Sequence, residues 1–572
     1  MISLDATQLA IVASDYKACS WLFKVEIEGT TYYWSTKDKS YDGNDYVFKI
    51  LPGSFGGITL NRAKSEVGIQ ASNGFTFSVS NKDNTLDRAS FTNQTVTLYL
   101  LVADRNNESV IRTWKFVIKK CESFYQKLYF TCEDFIQKYL EGFYPNTKLI
   151  KDIVHSDDPN INEACVPVVI GTAFIPLKSI YISDQRYYLL GSDTPDYTIS
   201  KVHAPFNKGD TTWLATNYVF KQVTKTIDAV DWKVFQPIIY SLGTGSHTGA
   251  NDQAVLTNST ASWTTNAFVG ATVVNITDNY SYGTITGNTD TTITATLAGG
   301  TGNEWDTGDS YMIGGCGLWN EGLSFVDMPT KFSRSDTVSK TNPADAIEYI
   351  LEDMGVPSAQ IDTGGGSSFE TAATAFDAYA PVLTFNGAFY FKEQRRKIIA
   401  ELMNSCHATL IPTDKIELHI LSKTVRKTIT KADVLRPETG GEGSFKYTIF
   451  TENESDSGYV EHQDIDTPQD QLVKVLVSTG STTDYISDEV LTTRLLNNSI
   501  NSQRAGILYY QRKFLNLARV TFSGKGTLLA LQPDDVIGVN EDDYGGTYTS
   551  VLIDSMKINS DLSIDFTCTR YA

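Results

Sequence analysis

Short apolar runs, separated by Gly, Pro, Asp and Asn, recur along most of the chain. In residues 536–539 the apolar side chains are nearly continuous, which predicts a strand buried on both faces. The alternation of Ile564, Phe566 and Cys568 with polar residues predicts a strand with one solvent-facing side. Similar patterns predict strands at residues 22–27, 31–34, 46–50, 75–79, 96–102, 110–118, 128–132, 268–276, 282–285, 291–297, 307–313, 407–411 and 416–420. The strands at 110–118 and 128–132 are expected to form a hairpin across residues 121–126. The apolar run of residues 164–177 contains Pro167 and Pro176, which favours an edge strand, or a strand bent at Gly171, over a central strand. The chain is therefore predicted to be mainly β.

A helical period appears in fewer places. Pro343 stands at a first helical position, the apolar residues that follow it share one face, and Gly355 ends the pattern. Further helices are predicted at residues 392–405 and 502–515, whereas residues 364–368 are interpreted as a flexible connection.

With 572 residues, the chain is too long for one hydrophobic core. Many short strands with close turns favour a multi-domain β-barrel or sandwich protein with a smaller α+β part and an inserted small β-module. The predicted division is 1–150, an N-terminal β-domain; 151–240, a second β-rich domain; 241–316, the inserted β-module; 317–435, an α+β domain; and 436–572, a C-terminal β-domain with one helix.

The inserted module is rich in Gly, Thr, Asn and Ser, with Trp263 and Trp305 as its large side chains. Exposed Trp rings stack on sugars, so both residues are candidate glycan contacts. In so small a unit, however, such rings more often fill the core. Asp306 and Asp309 suggest a calcium site, but their spacing lacks the other oxygen ligands of a known loop.

The net charge of −19 argues against a protein that grips nucleic acid through its phosphates. An acidic surface suits a ring through which DNA slides without sticking, although many proteins are acidic for no such reason. The first residues lack the basic region of a signal peptide, and no apolar run approaches the roughly 18 residues that span a bilayer. We therefore expect no stable membrane insertion.

No constellation of residues predicts catalysis, so the chain is not expected to be an enzyme. The seven cysteines are scattered without a Cys-x-x-Cys pair, which predicts small buried thiols, and the six histidines lie far apart. His407 and His419 are placed to face each other across a hairpin, where an ordinary strand pair is expected rather than a metal site. The carboxylate pairs 157–158, 534–535 and 542–543 lie in turn-like segments, which favours turn formation over glycosidase chemistry. No catalytic residue, cofactor or metal ligand is predicted.

Several motifs resemble those of the tail-tip, or baseplate, hub proteins of long-tailed bacteriophages. In the C-terminal part, Leu531, Pro533, Asp535 and Val536 match a "Leu-x-Pro-Gly-Asp-Val-Val" strand start, and Asp534 stands where the family has glycine. Three further stretches also resemble the family: Tyr41-Asp-Gly-Asn-Asp-Tyr46, Thr95-Val-Thr-Leu-Tyr-Leu100, and the helix that starts at Asn342-Pro-Ala.

The resemblance implies a structural virion protein, the hub at the distal end of a phage tail, which connects the tail tube to the tip or fibres and lets DNA pass. It implies a homotrimer whose partners are a distal tail protein, a tape measure protein and tail fibre or tip proteins, assembled in the host cytoplasm. One alternative is a host-adhesion protein that binds carbohydrate through the inserted module. Another is a cell-wall hydrolase, which some tail tips carry as an extra domain.

Overall fold

The computed structural model describes residues 4–14, 18–27, 29–62, 68–72, 74–82, 85–86, 91–145, 149–154, 164–176, 179–182, 185–192, 202–203, 218–227, 229–315, 323–327, 341–421, 424–435, 444–449, 457–463, 472–478, 486–496, 498–514, 518–539 and 549–570. Within these ranges the fold is mainly β with a smaller helical part, which confirms the predicted fold class.

Helices and strands are numbered separately along the chain. The helices are α1 (Ala6–Ala13), α2 (Gln137–Leu140), α3 (Ile150–Val154), α4 (Pro343–Asp353), α5 (Ser368–Asp377), α6 (Arg395–Cys406) and α7 (Ser499–Phe514). The strands up to residue 246 are β1 (Ala18–Ile27), β2 (Thr30–Ser35), β3 (Lys39–Tyr41), β4 (Asn44–Phe48), β5 (Ile58–Asn61), β6 (Ala71–Ser72), β7 (Phe75–Ser80), β8 (Thr95–Ala103), β9 (Glu108–Phe124), β10 (Lys127–Asp134), β11 (Phe143–Tyr144), β12 (Ala164–Ile170), β13 (Thr172–Pro176), β14 (Ser179–Ile182), β15 (Gln185–Ser192), β16 (Val202–His203), β17 (Tyr218–Ile227) and β18 (Val230–Ser246).

The later strands begin in the inserted module. They are β19 (Val255–Thr257), β20 (Thr272–Asn275), β21 (Ser281–Asn288), β22 (Thr292–Ala295), β23 (Ser310–Gly315), β24 (Leu323–Asp327), β25 (Gly387–Phe391), β26 (Glu393–Gln394), β27 (Ala408–Pro412), β28 (Ile416–Ile420), β29 (Val425–Ile429), β30 (Lys446–Ile449), β31 (Ser457–Gln463), β32 (Leu472–Ser478), β33 (Ile486–Thr493), β34 (Ala518–Gly524), β35 (Val536–Val539), β36 (Thr549–Ile558) and β37 (Ile564–Arg570).

The first large sheet has the strand order β3-β4-β2-β1-β8-β9-β10-β7. Its pairs are antiparallel except for β2 with β4. The predicted hairpin of β9 and β10 is present, but it turns more tightly than expected, since Phe124 pairs with Lys127. Helix α1 was not predicted from the sequence. Asp5 and Gln8 form a capping box at its start, and its apolar residues Ile11 and Val12 are fully buried.

The last large sheet has the order β29-β35-β36-β37-β34-β30. All four residues of β35 are buried, and Ile564, Phe566 and Cys568 alternate with more exposed residues in β37, so both predicted burial patterns are confirmed. Strand β5 lies in sequence between strands of the first sheet, but it does not join that sheet. It pairs with β36, so that Leu60 lies opposite Met556. The N-terminal part thus contributes a strand to the C-terminal sheet.

One hydrophobic core lies between these two sheets. It contains Trp21, Phe23 and Phe77 from the N-terminal part and Ile537 and Phe566 from the C-terminal part, each no more than 2% exposed. Since these residues form one contiguous cluster, the beginning and the end of the chain bury their apolar faces against each other.

A second core is built around the helices. Helix α4 begins after Asn342, whose side chain accepts the Ala344 N–H, with Pro343 at its first position as predicted. Helix α6 ends at His407, and α7 packs on the three-stranded sheet of order β32-β31-β33. Helix α5 was missed, although Ser367 caps it. Its short run of Ala and Thr shows only a weak helical pattern beside the Gly-rich connection.

The inserted module extends a sheet that starts before it. Strands of residues 179–246 and of the module follow one another in the order β14-β15-β18-β23-β20-β21-β22-β19, and β17 pairs with β18. Strand β18 runs from the preceding segment into the module and pairs with β23, from Tyr240 opposite Gly315 to Ser246 opposite Ser310.

The predicted bend at Gly171 is also present, because this residue has a φ of +60° between β12 and β13.

We expect Met556→Ala in β36 to lower the free energy of unfolding by about 2–5 kcal/mol. The Met556 side chain is fully buried in the core that both ends of the chain share. Denaturant unfolding followed by near-UV circular dichroism checks this, with the exposed neighbour Lys557→Ala as the control. An unfolding free energy as high as that of the control variant would contradict the shared core.

Candidate functional site

The turn from Leu531 to Val536 is the meeting point of several distant segments. Asp534 has a φ of +73°, a left-handed conformation that glycine adopts readily and that Asp tolerates better than most residues. The hub family that this stretch resembles has glycine at this position, and the backbone conformation of Asp534 is one that glycine favours. Asp535 accepts the Gln532 N–H at 2.9 Å, which is the turn-forming role predicted for this carboxylate.

Two side chains of the N-terminal part hold this turn. Gln70 donates its amide N–H to the Pro533 carbonyl at 2.6 Å, while its backbone N–H donates to the Leu410 carbonyl of β27 at 2.9 Å. Arg112 of β9 donates to the Leu531 carbonyl at 3.1 Å. Both side chains are buried, so these bonds join the first sheet, hairpin β27–β28 and the last sheet in a place that excludes water.

Sequence reasoning missed Arg112, although a signal was present. Arg112 shares its strand parity with Trp114, Phe116 and Ile118, all of which face the core. A single charged residue on the apolar face of a strand indicates a buried, partnered charge. Its guanidinium carbon lies 5.8 Å from the centre of the Trp114 ring.

Charged side chains of opposite sign surround this arginine. Arg426 forms a salt bridge of 2.5 Å with Asp535, and His419 contacts Glu417 at 2.7 Å. The other ring nitrogen of His419 lies 3.3 Å from the Gln532 amide nitrogen. We call Gln70, Arg112, Glu417, His419, Arg426 and residues 531–536 the junction. Arg112 and Arg426 thus lie close to carboxylates, and a nearby opposite charge lowers the cost of burying each of them.

Burial shifts the pKa values of the junction. Burial lowers the pKa of Arg112 to about 10, against the attraction of Glu417 and Asp535, so this residue stays charged at neutral pH. Burial raises the pKa of Asp535, although Arg426 opposes the shift. For Glu417 the cost of burial is outweighed by hydrogen bonds from His419 and Thr413, and its pKa is lowered.

A cavity of about 200 Å³ borders the junction. Ile420, Leu421, Pro533 and Val536 form its apolar wall, and Thr424 lies exposed beside it. The remaining lining residues are polar: Thr409, His419, Arg426, Gln532, Asp534 and Asp535.

The predicted histidine pairing across hairpin β27–β28 is wrong in its register. His419 lies opposite Thr409, while His407 precedes the strand and ends helix α6 in a left-handed conformation with a φ of +53°. Throughout the described ranges, no three His, Cys, Asp or Glu side chains are grouped so as to hold a metal ion. The carboxylate pairs 157–158 and 542–543 lie outside the described residues.

The described cysteines lie in or beside the cores. Cys132, Cys406 and Cys568 are almost fully buried, and burial raises the pKa of each thiol, which disfavours the thiolate that nucleophilic chemistry requires. Cys165 is 1% exposed.

The two tryptophans of the module have different environments. Trp305 is fully buried, 6.4 Å from Tyr311 in an edge-to-face contact, and therefore has no free face for a sugar ring. Trp263 is half-buried against the same cluster and contacts Phe268 and Tyr311. Asn275 donates to Asp278 and Asp309, so these two carboxylates are held by an amide.

Helix α7 carries the basic residues Arg504, Arg512 and Lys513. Arg504 donates to the Ala380 carbonyl at 2.8 Å, and its guanidinium carbon lies 5.1 Å from the centre of the Tyr379 ring. This guanidinium group therefore makes its contacts within the chain. The side chains of Arg512 and Lys513 lie outside the described residues. No helix in the described part of the chain is long and apolar enough to cross a membrane.

The comparisons with known proteins give similarity at the level of structure. No family model matches the chain, and no curated protein matches it. The chain is similar to the 43 kDa tail protein of prophage MuSo2 from Shewanella oneidensis, with 8% identity, 96% of this chain and 98% of that chain covered, and a TM-score of 0.36.

Two other solved structures show similarity of the same order. A tail protein from Neisseria meningitidis MC58 has 8% identity, 96% coverage of both chains and a TM-score of 0.37. The prophage tail protein gp18 from Listeria monocytogenes EGD-e has 8% identity, 96% coverage of this chain, 94% coverage of that chain and a TM-score of 0.33. The function of the present chain is therefore argued from its own contacts.

We expect Glu417→Gln to destabilise the protein at pH 7 and to have a smaller effect at acidic pH. The pKa of Glu417 is lowered from its ordinary value of 4.5, so the ionised form stabilises the fold above that value and loses this contribution as the pH falls through the lowered pKa. Denaturant unfolding at pH 7 and pH 4 measures the difference between variant and wild type. A difference that grows towards acidic pH would contradict the role of the charged carboxylate.

We expect Trp305→Ala to destabilise the module by about 3–5 kcal/mol, because it removes a fully buried ring from a small core. Hydrogen exchange of residues 255–313 measures local opening. Tyr282→Ala is the matched control, since this aromatic residue of the same module is 37% exposed. Equal exchange rates in the two variants would contradict the core assignment.

Proposed function

We propose that the chain is a structural protein of a bacteriophage tail, and more specifically the hub at the distal end of that tail. In this role it connects the tail tube to tip or fibre proteins and leaves a passage for DNA. The proposal includes assembly as a homotrimer in the host cytoplasm and contacts with a distal tail protein and a tape measure protein.

The single observation that carries the proposal is the Leu531–Val536 turn. Its residues resemble the strand start of the hub family, and Asp534, which stands where the family has glycine, adopts the left-handed conformation that glycine favours. The departure in sequence is therefore compatible with the same backbone.

The position of that turn adds support. Gln70, Arg112 and Arg426 bond to it from three different segments, so the turn fixes the last sheet against the first sheet and the β27–β28 hairpin. Buried hydrogen bonds and ion pairs of this kind hold sheets in one arrangement. A rigid multi-sheet body suits a protein that transmits load between neighbours.

The charge of the chain fits the proposed passage of DNA. A net charge of −19 repels phosphate backbones, so DNA in transit is not retained. Several side chains of the junction bond to one another or to backbone carbonyls, as Arg426 does to Asp535 and Arg112 to Leu531, which favours a mechanical role over turnover of a substrate.

We expect the purified full-length chain to show a mass that rises with concentration towards three times the chain mass. Size-exclusion chromatography with light scattering measures this, and labelling of intact particles locates the protein at one end of the tail. A monomer at every concentration, or label distributed along the whole tail, would speak against a hub. Saturable conversion of a substrate by the purified chain would replace the proposal by an enzymatic one.

A further inference from the structure

Exposed cations lie together where helix α6 begins. The first turn of α6 carries Arg396 and Lys397, and the Arg396 guanidinium donates to the Gln137 side chain of α2 at 2.9 Å. This bond brings Lys138 of α2 to the same surface, and Lys392 directly precedes β26, the strand that leads into α6. We call Lys138, Lys392, Arg396 and Lys397, all of which are exposed, the cationic patch.

The charges of the cationic patch are not cancelled by carboxylate partners. In the described part of the chain, none of its four side chains forms a salt bridge. Lys119 lies within electrostatic range of Arg396, but Glu133 pairs with it, so Lys119 is left out of the patch. Glu141, exposed just after α2, offsets one of the four charges. The patch therefore stays positive on a chain whose net charge is −19.

The position of these cations is unfavourable for the helix. The N-terminal end of a helix carries a partial positive charge, so cations in its first turn lower the stability of the helix. The first turn of α6 contains no carboxylate, and Gln394 before it provides no side-chain cap. An arrangement that costs stability without compensation inside the chain points to a contact outside it.

An exposed aromatic ring lies beside the cationic patch. Phe143 of β11 is opposite Gln394 of β26 and is 57% exposed, and its carbonyl accepts a hydrogen bond from Arg395. Protein contact surfaces combine an apolar or aromatic centre with a polar rim. The patch and its aromatic neighbour thus fit an anionic protein surface.

The inserted module carries the opposite charge. Residues 241–316 contain several carboxylates and neither Lys nor Arg. The Asp252 N–H donates to Asp306 Oδ1 at 2.8 Å. Burial raises the pKa of Asp278, and the charges of Asp309, Asp306 and Glu304 raise it further, so these carboxylates lie close together.

The acidic face of the module is defined as Asp252, Asp278, Glu304 and Asp306. In the part of the chain that the structure describes, no cation pairs with any of these four carboxylates. One chain therefore presents an unpaired cationic surface and an unpaired anionic surface.

We propose that the cationic patch of one copy binds the acidic face of the inserted module of a second copy. Complementary charges orient association, and the repulsion between the net charges of two copies is screened beyond roughly 8 Å at physiological ionic strength. Because patch and face are different surfaces, the contact is head-to-tail, and such contacts close into rings when the rotation permits. The inference rests on the proposed self-associating function and specifies the surfaces through which the copies meet.

The double variant Arg396→Glu with Lys397→Glu reverses the patch. Carboxylates suit the first turn of a helix, so the full-length variant is expected to keep or raise its thermal midpoint while its self-association weakens at least about tenfold. Sedimentation velocity over a concentration series measures association. Lys82→Glu with Lys127→Glu is the matched control, since both lysines are exposed and outside the patch and the change in net charge is the same. This control is expected to associate like the wild type.

Glu304→Lys with Asp252→Asn tests the acidic face. Glu304 is exposed, and Asn tolerates the left-handed conformation of Asp252, whose φ is +59°. We expect weaker association from this variant as well. Combining it with the reversed patch in one chain is expected to restore association to within about threefold of wild type, because the signs of the two surfaces are then exchanged.

The combined variant makes the outcome decisive. Association that the reversed patch leaves unchanged, or a combined variant that associates no better than either double variant, would overturn the inference while leaving the proposed function in place. A wild-type chain that never associates would instead contradict the proposed function first, and the inference with it.

Nucleic acid is another anionic partner that the experiment distinguishes. Fluorescence anisotropy with a labelled double-stranded DNA oligonucleotide measures its binding to the full-length chain. We expect no binding that depends on the patch. DNA binding that the reversed patch abolishes, together with unchanged self-association, would assign the patch to nucleic acid and overturn the inference.

Discussion

The burial of the first and last β-segments against each other is the constraint on which the rest of the structure depends. Trp21 and Phe77 near the start of the chain lie in the same apolar cluster as Ile537 and Phe566 near its end. Strand β5 reinforces this contact, since it leaves its sequence neighbours and pairs with β36. The segments between the first and last β-segments therefore begin and end at this shared core.

The junction shows how such long-range contacts are made specific. Apolar burial alone is not directional and would allow neighbouring arrangements of the two sheets. Buried hydrogen bonds from Gln70 and Arg112 to the turn carbonyls are directional, and losing either would leave a buried polar group without its partner. The Arg426–Asp535 salt bridge and the His419–Glu417 contact lie beside these hydrogen bonds and provide partners for the two carboxylates. A cavity remains where the hairpin, β29 and the turn meet, because their side chains do not fill the corner completely.

The local sequence pattern was sufficient to predict most of the strands and helices. Strands such as β35 and β37, helix α4 with its Asn342 cap, and the bend at Gly171 follow from periodicity, capping and glycine chemistry within a few residues. The elements that were missed have physical reasons of their own. Helix α5 is short and lies beside a Gly-rich stretch, and helix α1 is stabilised by the core that its Ile11 and Val12 enter. The hairpin register that separates His407 from His419 depends on where helix α6 ends, which the apolar pattern alone does not specify.

The sequence by itself determined the class of the fold, the position of the turn at residues 531–536, and the absence of cations from the inserted module, which has neither Lys nor Arg between residues 241 and 316. It also determined that an Arg stands on the apolar face of β9. Only the tertiary structure decided that β5 belongs to the C-terminal sheet, that Trp305 is enclosed while Tyr125 is exposed, and that Arg112 faces Leu531. The physical reason is the range of the interactions. Strand and helix patterns arise from neighbours along the chain, whereas burial of a given ring or charge depends on which distant segment covers it.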